Sequence, residues 1–208
     1  MAVHAVSHPV ITHKMAILRD RETSTKKFRE LTNEITLLLT YEATRHLPTH
    51  EVEVQTPMAV MRTQCLRNEG LVIAPILRAG LGMVDGMLSI FPNARMAHIG
   101  LKRDEETARP QTYYYSMPPN LESSTVIVVD PMLATAGSLC AALDLVKQSK
   151  PAEILALCLI AAPEGARRVE AAHPDVDVYV AAMDECLNEK SYIIPGLGDA
   201  GDRMFGTL

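Results

Sequence analysis

An α/β fold built on a largely parallel central sheet is what this sequence predicts, and three observations carry it. Continuous apolar runs at 71–77, 126–129 and 154–161 are rich in Val, Ile and Leu, as strands buried on both faces are. Helix-compatible segments at 82–90, 139–150 and 165–173 lie between or after them, the alternation that gives parallel strands with helical crossovers. The second run ends on an acid, Asp130, and enters a loop of small and hydroxyl residues before its helix. Ligands of parallel sheets bind at the carboxyl ends of strands, so Asp130 and Arg78, each at such an end, draw attention first.

Taken in order, Ser24 or Thr25 can cap a helix on which Phe28, Leu31, Ile35, Leu38 and Leu39 form one apolar stripe. Residues 51–55 alternate acid and valine, Pro57 follows, and 59–63 complete the pattern of a half-exposed hairpin. Tyr113 and Tyr115, between Pro110 and Pro118, read as the side wall of another hairpin. Residues 176–182 predict a further strand. Met58, Met61, Met83, Met87 and Met96 read as core or interface filler. No linker, repeat or low-complexity tract interrupts the 208 residues, which are read as a single domain, 1–208.

Composition narrows the function. A net charge of −5 argues against broad capture of nucleic acid, which needs a basic face. Cys65, Cys140, Cys158 and Cys186 form no C-x-x-C pair and read as buried thiols of a reducing cytosol. No apolar run approaches the ~18–20 residues of a membrane span, and residues 1–20 lack the pattern of a secretory signal. A cytoplasmic protein is expected. The pairs His4/His8 and His46/His50 have metal-compatible spacing but no third ligand nearby, so they read as solvated.

Three segments carry chemistry. In 126–138 the order strand, acid, small-residue loop, helix builds a phosphate site: loop N–H groups and the helix N-terminus converge on an anion, with hydroxyls from Thr135 and Ser138. Asp130 can face sugar hydroxyls or a magnesium shell. There is no G-x-x-x-x-G-K-[ST], so one phosphate on a sugar suits the loop better than a triphosphate. In the second segment, residues 76–82, Arg78 sits between a buried strand and a Gly-containing turn, which suits an anionic ligand. On that segment alone, a turn arginine bound to a surface acid is an equal alternative. The third segment, 192–206, holds four glycines among Ile193, Leu197 and Phe205; a frayed tail has little use for such apolar residues. Its backbone amides can read the edge of a flat base.

Together these segments resemble the uracil phosphoribosyltransferases, of the type I phosphoribosyltransferase superfamily. The resemblance runs from His8-Pro9 and Ser24-Thr25-Lys26 through Leu39-Thr40-Tyr41-Glu42-Ala43 to Phe205-Gly206-Thr207. Its most specific parts are Asp130-Pro131-Met132-Leu133-Ala134-Thr135 and Tyr192-Ile193-Ile194-Pro195-Gly196-Leu197-Gly198-Asp199. Many type I members carry a second acid where this chain has Pro131, as the uracil enzymes do.

The resemblance implies the type I fold with a carboxy-terminal uracil-binding hood and a hairpin arm, and conversion of uracil and 5-phospho-α-D-ribose 1-diphosphate (PRPP) to UMP and diphosphate. It implies that Asp130, Pro131, Met132, Leu133, Ala134, Thr135, Ala136, Gly137 and Ser138 hold PRPP, with Arg78 on its pyrophosphate arm and Arg103 closing over the same ligand from a mobile hairpin. Ile193, Gly198 and Ala200 offer main-chain groups to uracil, and Asp199 helps hold PRPP through a magnesium shell and is the candidate general base. Magnesium arrives with PRPP. A homodimer or larger assembly is expected, the 51–62 hairpin reaching a neighbour; some relatives respond to GTP, for which no residues here indicate a site. Two departures stand out. Ala136 replaces a common loop glycine, tolerable at negative φ and costly at positive φ; Lys102 replaces a common tyrosine and either adds a cation near the pyrophosphate or faces solvent. A second function class, a nucleotide-sensing RNA-binding regulator on the same fold, needs a basic patch with interleaved aromatics. With 4% aromatic residues and an acidic balance, the chain favours the enzyme.

Overall fold

The computed structural model describes residues 3–67, 70–103 and 110–207, Arg103 by its main chain. In chain order the elements are β1 (Val3–Ala5), α1 (Pro9–Arg19), α2 (Thr25–Ala43), β2 (Thr49–Gln55), β3 (Val60–Leu66), β4 (Val72–Leu77), α3 (Leu81–Leu88), β5 (Arg95–Met96), β6 (His98–Arg103), β7 (Pro110–Ser116), β8 (Thr125–Val129), β9 (Met132–Leu133), α4 (Gly137–Gln148), β10 (Glu153–Ala161), α5 (Pro163–Ala172), β11 (Asp177–Met183), β12 (Cys186–Leu187), β13 (Ile193–Ile194) and α6 (Ala200–Phe205).

The main sheet runs β1-β11-β10-β8-β4-β6-β7, with β5 beside β4 and β9 beside β10. Its pairs are parallel except β6–β7. Period-two alternation explains the continuous apolar runs. Ile73, Ile127, Val129, Leu155 and Leu157 enter one core with the buried faces of α1, α2 and α3, whereas Val72, Ala74, Val126, Val128 and Ala156 enter a second under α4 and α5. From β4 the chain crosses outward to β6, and from β8 it crosses the opposite way to β10. The crevice between the carboxyl ends of β4 and β8 is therefore the switch point of the sheet, and Arg78 and Asp130 stand at its two sides.

Pro75 lies in central β4, where a missing N–H is normally excluded. On that edge β4 pairs with β5 through Val72 and Ile73 and with β6 through Ile76 and Leu77, so Pro75 falls between the two partners. α2 starts as expected: the Ser24 hydroxyl accepts from the Lys27 N–H at 3.4 Å, and Phe28, Leu31, Ile35 and Leu39 are buried. β1, α1 and α6 are not among the expected elements. α1 opens with Pro9 behind His8, whose Nδ1 accepts from the Val10 N–H at 3.2 Å.

β2 and β3 form a separate antiparallel hairpin, exposed along most of its length, with Met58 at its tip 92% exposed. Met83 and Met87 are core as expected; Met58 and Met61 lie on the surface. The cysteines need correction: Cys140 and Cys158 are buried, but Cys65 sits on the exposed hairpin and Cys186 is exposed on a two-stranded ribbon. The histidine pairs are exposed but engaged, His4 with Asp177 and the ring of Tyr179, His46 with Glu153. Among the described residues, no helix is long and apolar enough to cross a membrane.

Candidate active site

β8 delivers Asp130 to the switch point, and the loop beyond it is stitched to β10. The Pro131 carbonyl accepts from the Leu159 and Ile160 N–H groups at 3.0 and 3.2 Å, and the Leu133 carbonyl from the Ala162 N–H at 2.9 Å. α5 packs against the next stretch through Gly165, where a Cβ would collide with the Ala134 and Leu133 carbonyl oxygens. Arg168 of α5 donates to the Thr135 carbonyl at 3.1 Å, a contact sequence reading did not find. Leu133 is fully buried. Ala136 follows with φ 62° and ψ 5°, the left-handed conformation, and no side chain caps α4. The first amides of α4, from Gly137 and Ser138, thus open toward the loop, the arrangement that attracts an anion.

The Asp130 carboxyl sits among strand ends. Desolvation pushes it up to about 7, against which a hydrogen bond from the Met132 main chain works weakly. Beneath it, burial and the Asp130 charge hold the Cys158 thiol well above its ordinary range, so Cys158 stays protonated and is no nucleophile.

Arg78 follows β4 and is exposed, with no ion pair among the described residues. Gly80 lets its turn lie against the Val129 carbonyl, where a Cβ would come within 2.5 Å. Gly82 yields its space to Met204, so α6 rests on the start of α3. The chain's tail is folded: Ile193, Leu197, Ala200 and Met204 are all buried in the core beside α1, α2 and α3. β12 and β13 pair as Leu187↔Ile193, a cis Ile194–Pro195 bond follows, and Gly196 and Gly198 adopt positive φ. Asp199 caps α6, its Oδ1 accepting from the Asp202 N–H at 2.9 Å.

These parts meet. A cavity of about 390 Å³ is lined by Arg78, Ala79, Met132 and Ala134 on one side and by Ile193, Gly198, Asp199, Ala200 and Gly201 on the other, with Lys190, Ser191 and Tyr192 at its rim. Asp130, Pro131, Leu133, Thr135, Ala136, Gly137 and Ser138 continue the Met132–Ala134 stretch and do not line this cavity themselves. Ala79, Lys190, Ser191 and Gly201 were not expected; only tertiary packing places them there. Arg103 pairs through its main chain with Pro110 at the end of the β6–β7 ladder; its side chain and residues 104–109 lie outside the described residues. Lys102 is exposed. Tyr115 donates to the Leu145 carbonyl at 3.1 Å, making the hairpin the side wall expected of it. A second cavity, about 250 Å³, lies at the opposite ends of the strands against Leu66, Phe91 and Thr125.

Residues 5–207 match the family described as uracil phosphoribosyltransferase. A uracil phosphoribosyltransferase of Symbiobacterium thermophilum is 58% identical over 205 residues, covering 99% of this chain and 98% of that protein. One of Streptococcus mutans is 54% identical over 202 residues and 97% of each chain. Among solved structures, the AQ2163 protein from Aquifex aeolicus superposes with a TM-score of 0.93 at 41% identity, over 98% of this chain and 97% of that one. A hypoxanthine-guanine phosphoribosyltransferase of Bacillus anthracis superposes at 0.52 with 16% identity, over 74% and 78%, a likeness of fold alone. The parallel sheet with its anion loop at the switch point is the type I phosphoribosyltransferase fold, and with identity above half over nearly its whole length the chain belongs to the uracil phosphoribosyltransferase family.

Proposed function

We propose that the cavity between Arg78, the 130–138 loop and the 193–200 turn is where this chain carries out its family's reaction, the salvage of uracil with PRPP to give UMP and diphosphate. One observation carries the assignment: the anion loop and the Gly-rich turn, more than fifty residues apart in sequence, face each other across one cavity at the switch point. The α4 N-terminus and loop amides, with Thr135 and Ser138, take the 5′-phosphate; each charge-assisted bond contributes roughly 1.5–3 kcal/mol. Arg78 takes the pyrophosphate arm, and Arg103 closes over it. Uracil presents two carbonyls with an N–H between them, and fixed main-chain groups of Ile193, Gly198 and Ala200 match that order. Cytosine would leave buried groups unpaired, a mismatch that such sites reject by up to ~10⁴-fold or more.

The reaction is displacement at the anomeric carbon by a uracil nitrogen, with diphosphate leaving. No protein nucleophile takes part. The chain orients the two reactants, stabilises the departing charge and excludes water. Asp199 keeps one oxygen on its helix cap and has the other for PRPP or a proton. Two carboxylates, Asp130 just after β8 and Asp199 just before α6, are the groups that would hold magnesium entering with PRPP through water; when bound it would neutralise the diphosphate.

A homodimer belongs to the same reading, with the exposed arm around Val54, Met58 and Met61 seated on a second copy; sedimentation as a monomer would end that idea. Activation by GTP and residence in the cytoplasm are also part of it. The decisive experiment supplies the purified chain with radiolabelled uracil, PRPP and magnesium. UMP formation that requires all three is expected, and turnover at background refutes the assignment. Tight RNA binding in its place would favour the regulator.

A further inference from the structure

The main chain at 196–197 is gripped from outside by three charged side chains. Gly196 donates its N–H to Asp184 Oδ2 at 2.8 Å, and its carbonyl accepts from Arg19 Nη1 at 2.7 Å. The same Arg19 nitrogen donates to Asp184 Oδ2 at 2.8 Å, and Nη2 makes a second short bond to Oδ1, a bidentate pair whose carboxylate is only 3% exposed. One residue on, the Leu197 carbonyl accepts from Arg203 Nη1 at 2.8 Å. Arg203 is itself fixed, with its guanidinium 4.6 Å above the Phe28 ring and donating to the Asp20 carbonyl. Neither arginine lines the cavity.

We infer that Arg19, Asp184 and Arg203 are positioning residues for base recognition: they hold the turn at Gly196 and Leu197 so that the main-chain groups of Gly198 and Ala200 are already in place before uracil arrives. The inference rests on the proposed seating of uracil against the 193–200 turn. A turn with glycines at two positive-φ positions has little stiffness of its own. Main-chain recognition discriminates only if donor and acceptor cannot exchange places, and that demands a fixed backbone. Here the stiffness comes from side chains on α1, just beyond β11 and on α6. Grip on the two peptide units that meet at Gly196 and at the next carbonyl leaves the turn no rotation about residue 196 that keeps all these bonds.

Arg203→Met keeps the packing over Phe28 and removes the donors. Its KM for uracil is expected to rise at least about tenfold and its preference for uracil over cytosine to fall by a similar factor. Its KM for PRPP should stay within about twofold, and Arg203→Lys should recover part of the loss. An unchanged uracil KM and unchanged preference in folded Arg203→Met overturn the inference. A readout on the unaltered enzyme stands beside this in case that variant fails to fold. Without ligand, the Gly196 amide should exchange slowly with deuterium; exchange at the rate of an open loop overturns the inference as well. Chemical-shift changes separate the two layers. If uracil and PRPP leave the Gly198 and Ala200 amides unmoved, the seating of uracil fails; if those amides move while Arg203→Met behaves as wild type, only the positioning role fails.

Discussion

Asp130→Asn tests the electrostatics of the switch point. The wild-type carboxyl rises from 3.8 in the unfolded chain to about 7 in the folded one. That displacement of roughly three pH units, at about 1.4 kcal/mol each, sets a ceiling of about 4 kcal/mol on what the ionised carboxylate costs the free protein. Partial access to water brings the expected cost nearer 2 kcal/mol. The sign follows from linkage. A group whose folded pKa is raised stabilises the fold fully below its unfolded value, near 3.8, and that stability is lost as pH rises through about 7. Asparagine keeps the shape and removes the charge, so the ligand-free variant should be more stable than wild type by about 2 kcal/mol above pH 7, the gap closing as pH falls. Denaturant unfolding of both proteins across that range measures it. PRPP binding should move the opposite way: the asparagine cannot ionise for the sugar hydroxyls or the magnesium shell, and affinity should drop at least about tenfold. Curves for the two proteins that run parallel at all pH values would show that Asp130 is not desolvated, and the reasoning would fall.

Further predictions follow from single contacts. Ala136→Gly removes a left-handed alanine worth roughly 1–2 kcal/mol of strain, but gives up a buried methyl of about 0.8 kcal/mol and adds unfolded-state entropy of about 0.4–1 kcal/mol. The net change should stay within about 1 kcal/mol, with activity retained; a gain in PRPP affinity beyond about tenfold by titration calorimetry would mean that the alanine obstructs the loop. Gly165→Ala drives a methyl into the Ala134 and Leu133 carbonyls, and should cost about 1–3 kcal/mol in thermal unfolding while weakening PRPP binding. His173 is buried among Asp144, Lys147 and Asp175, and desolvation first, then the Lys147 charge, lowers its pKa below 6.5. Its lowered value means stability present above about 6.5 and lost as pH falls through the folded value. His173→Leu should flatten that acid limb of the stability curve, and an unaltered limb would assign the loss to other groups.

Much of this architecture is legible in sequence because its strands bury both faces and its helices carry one stripe; the period and the punctuation agree at 71–77, 126–129 and 154–161. The 130–138 loop is legible for the same reason, since strand, acid, small residues and helix are contiguous. β1 is not, because three residues at a sheet edge gain their conformation only from pairing with β11. α1 carries a weaker signal, Pro9 at its first turn with Ile11, Met15 and Leu18 buried on one face of only three turns. α6 is too short and too glycine-flanked for periodicity to speak. The Arg168 contact and the grip of Arg19 and Arg203 have no local signature at all: their partners lie 33 to 177 residues away or, for Leu197, within a turn whose shape is set by those contacts. The positive φ of Ala136 has no sequence signal, because an alanine is compatible with either sign until the turn around it is built.

The two halves of the cavity obtain their precision by different means. An anion tolerates small errors in its cradle, because charge–dipole attraction falls off gradually and several amides share the load. A loop stitched at one side to β10 and flowing into a three-turn helix is stiff enough for that task, and alanine at 136 is expected to cost about a kilocalorie without loss of activity. Reading the edge of a pyrimidine has no such tolerance, since a peptide rotated by a fraction of a turn offers a carbonyl where an N–H is required. Short elements with positive-φ glycines cannot meet that demand alone. A buried carboxylate is expensive to keep away from water, and Asp184 with Arg19 accepts that expense at the two peptide units that meet at Gly196. Exchanging a buried ion pair for apolar residues of similar volume is often neutral or stabilising, yet here it would leave the Gly196 N–H and carbonyl without partners. The ion pair at this place is thus better explained by the geometry it imposes on the turn than by the stability it gives the fold.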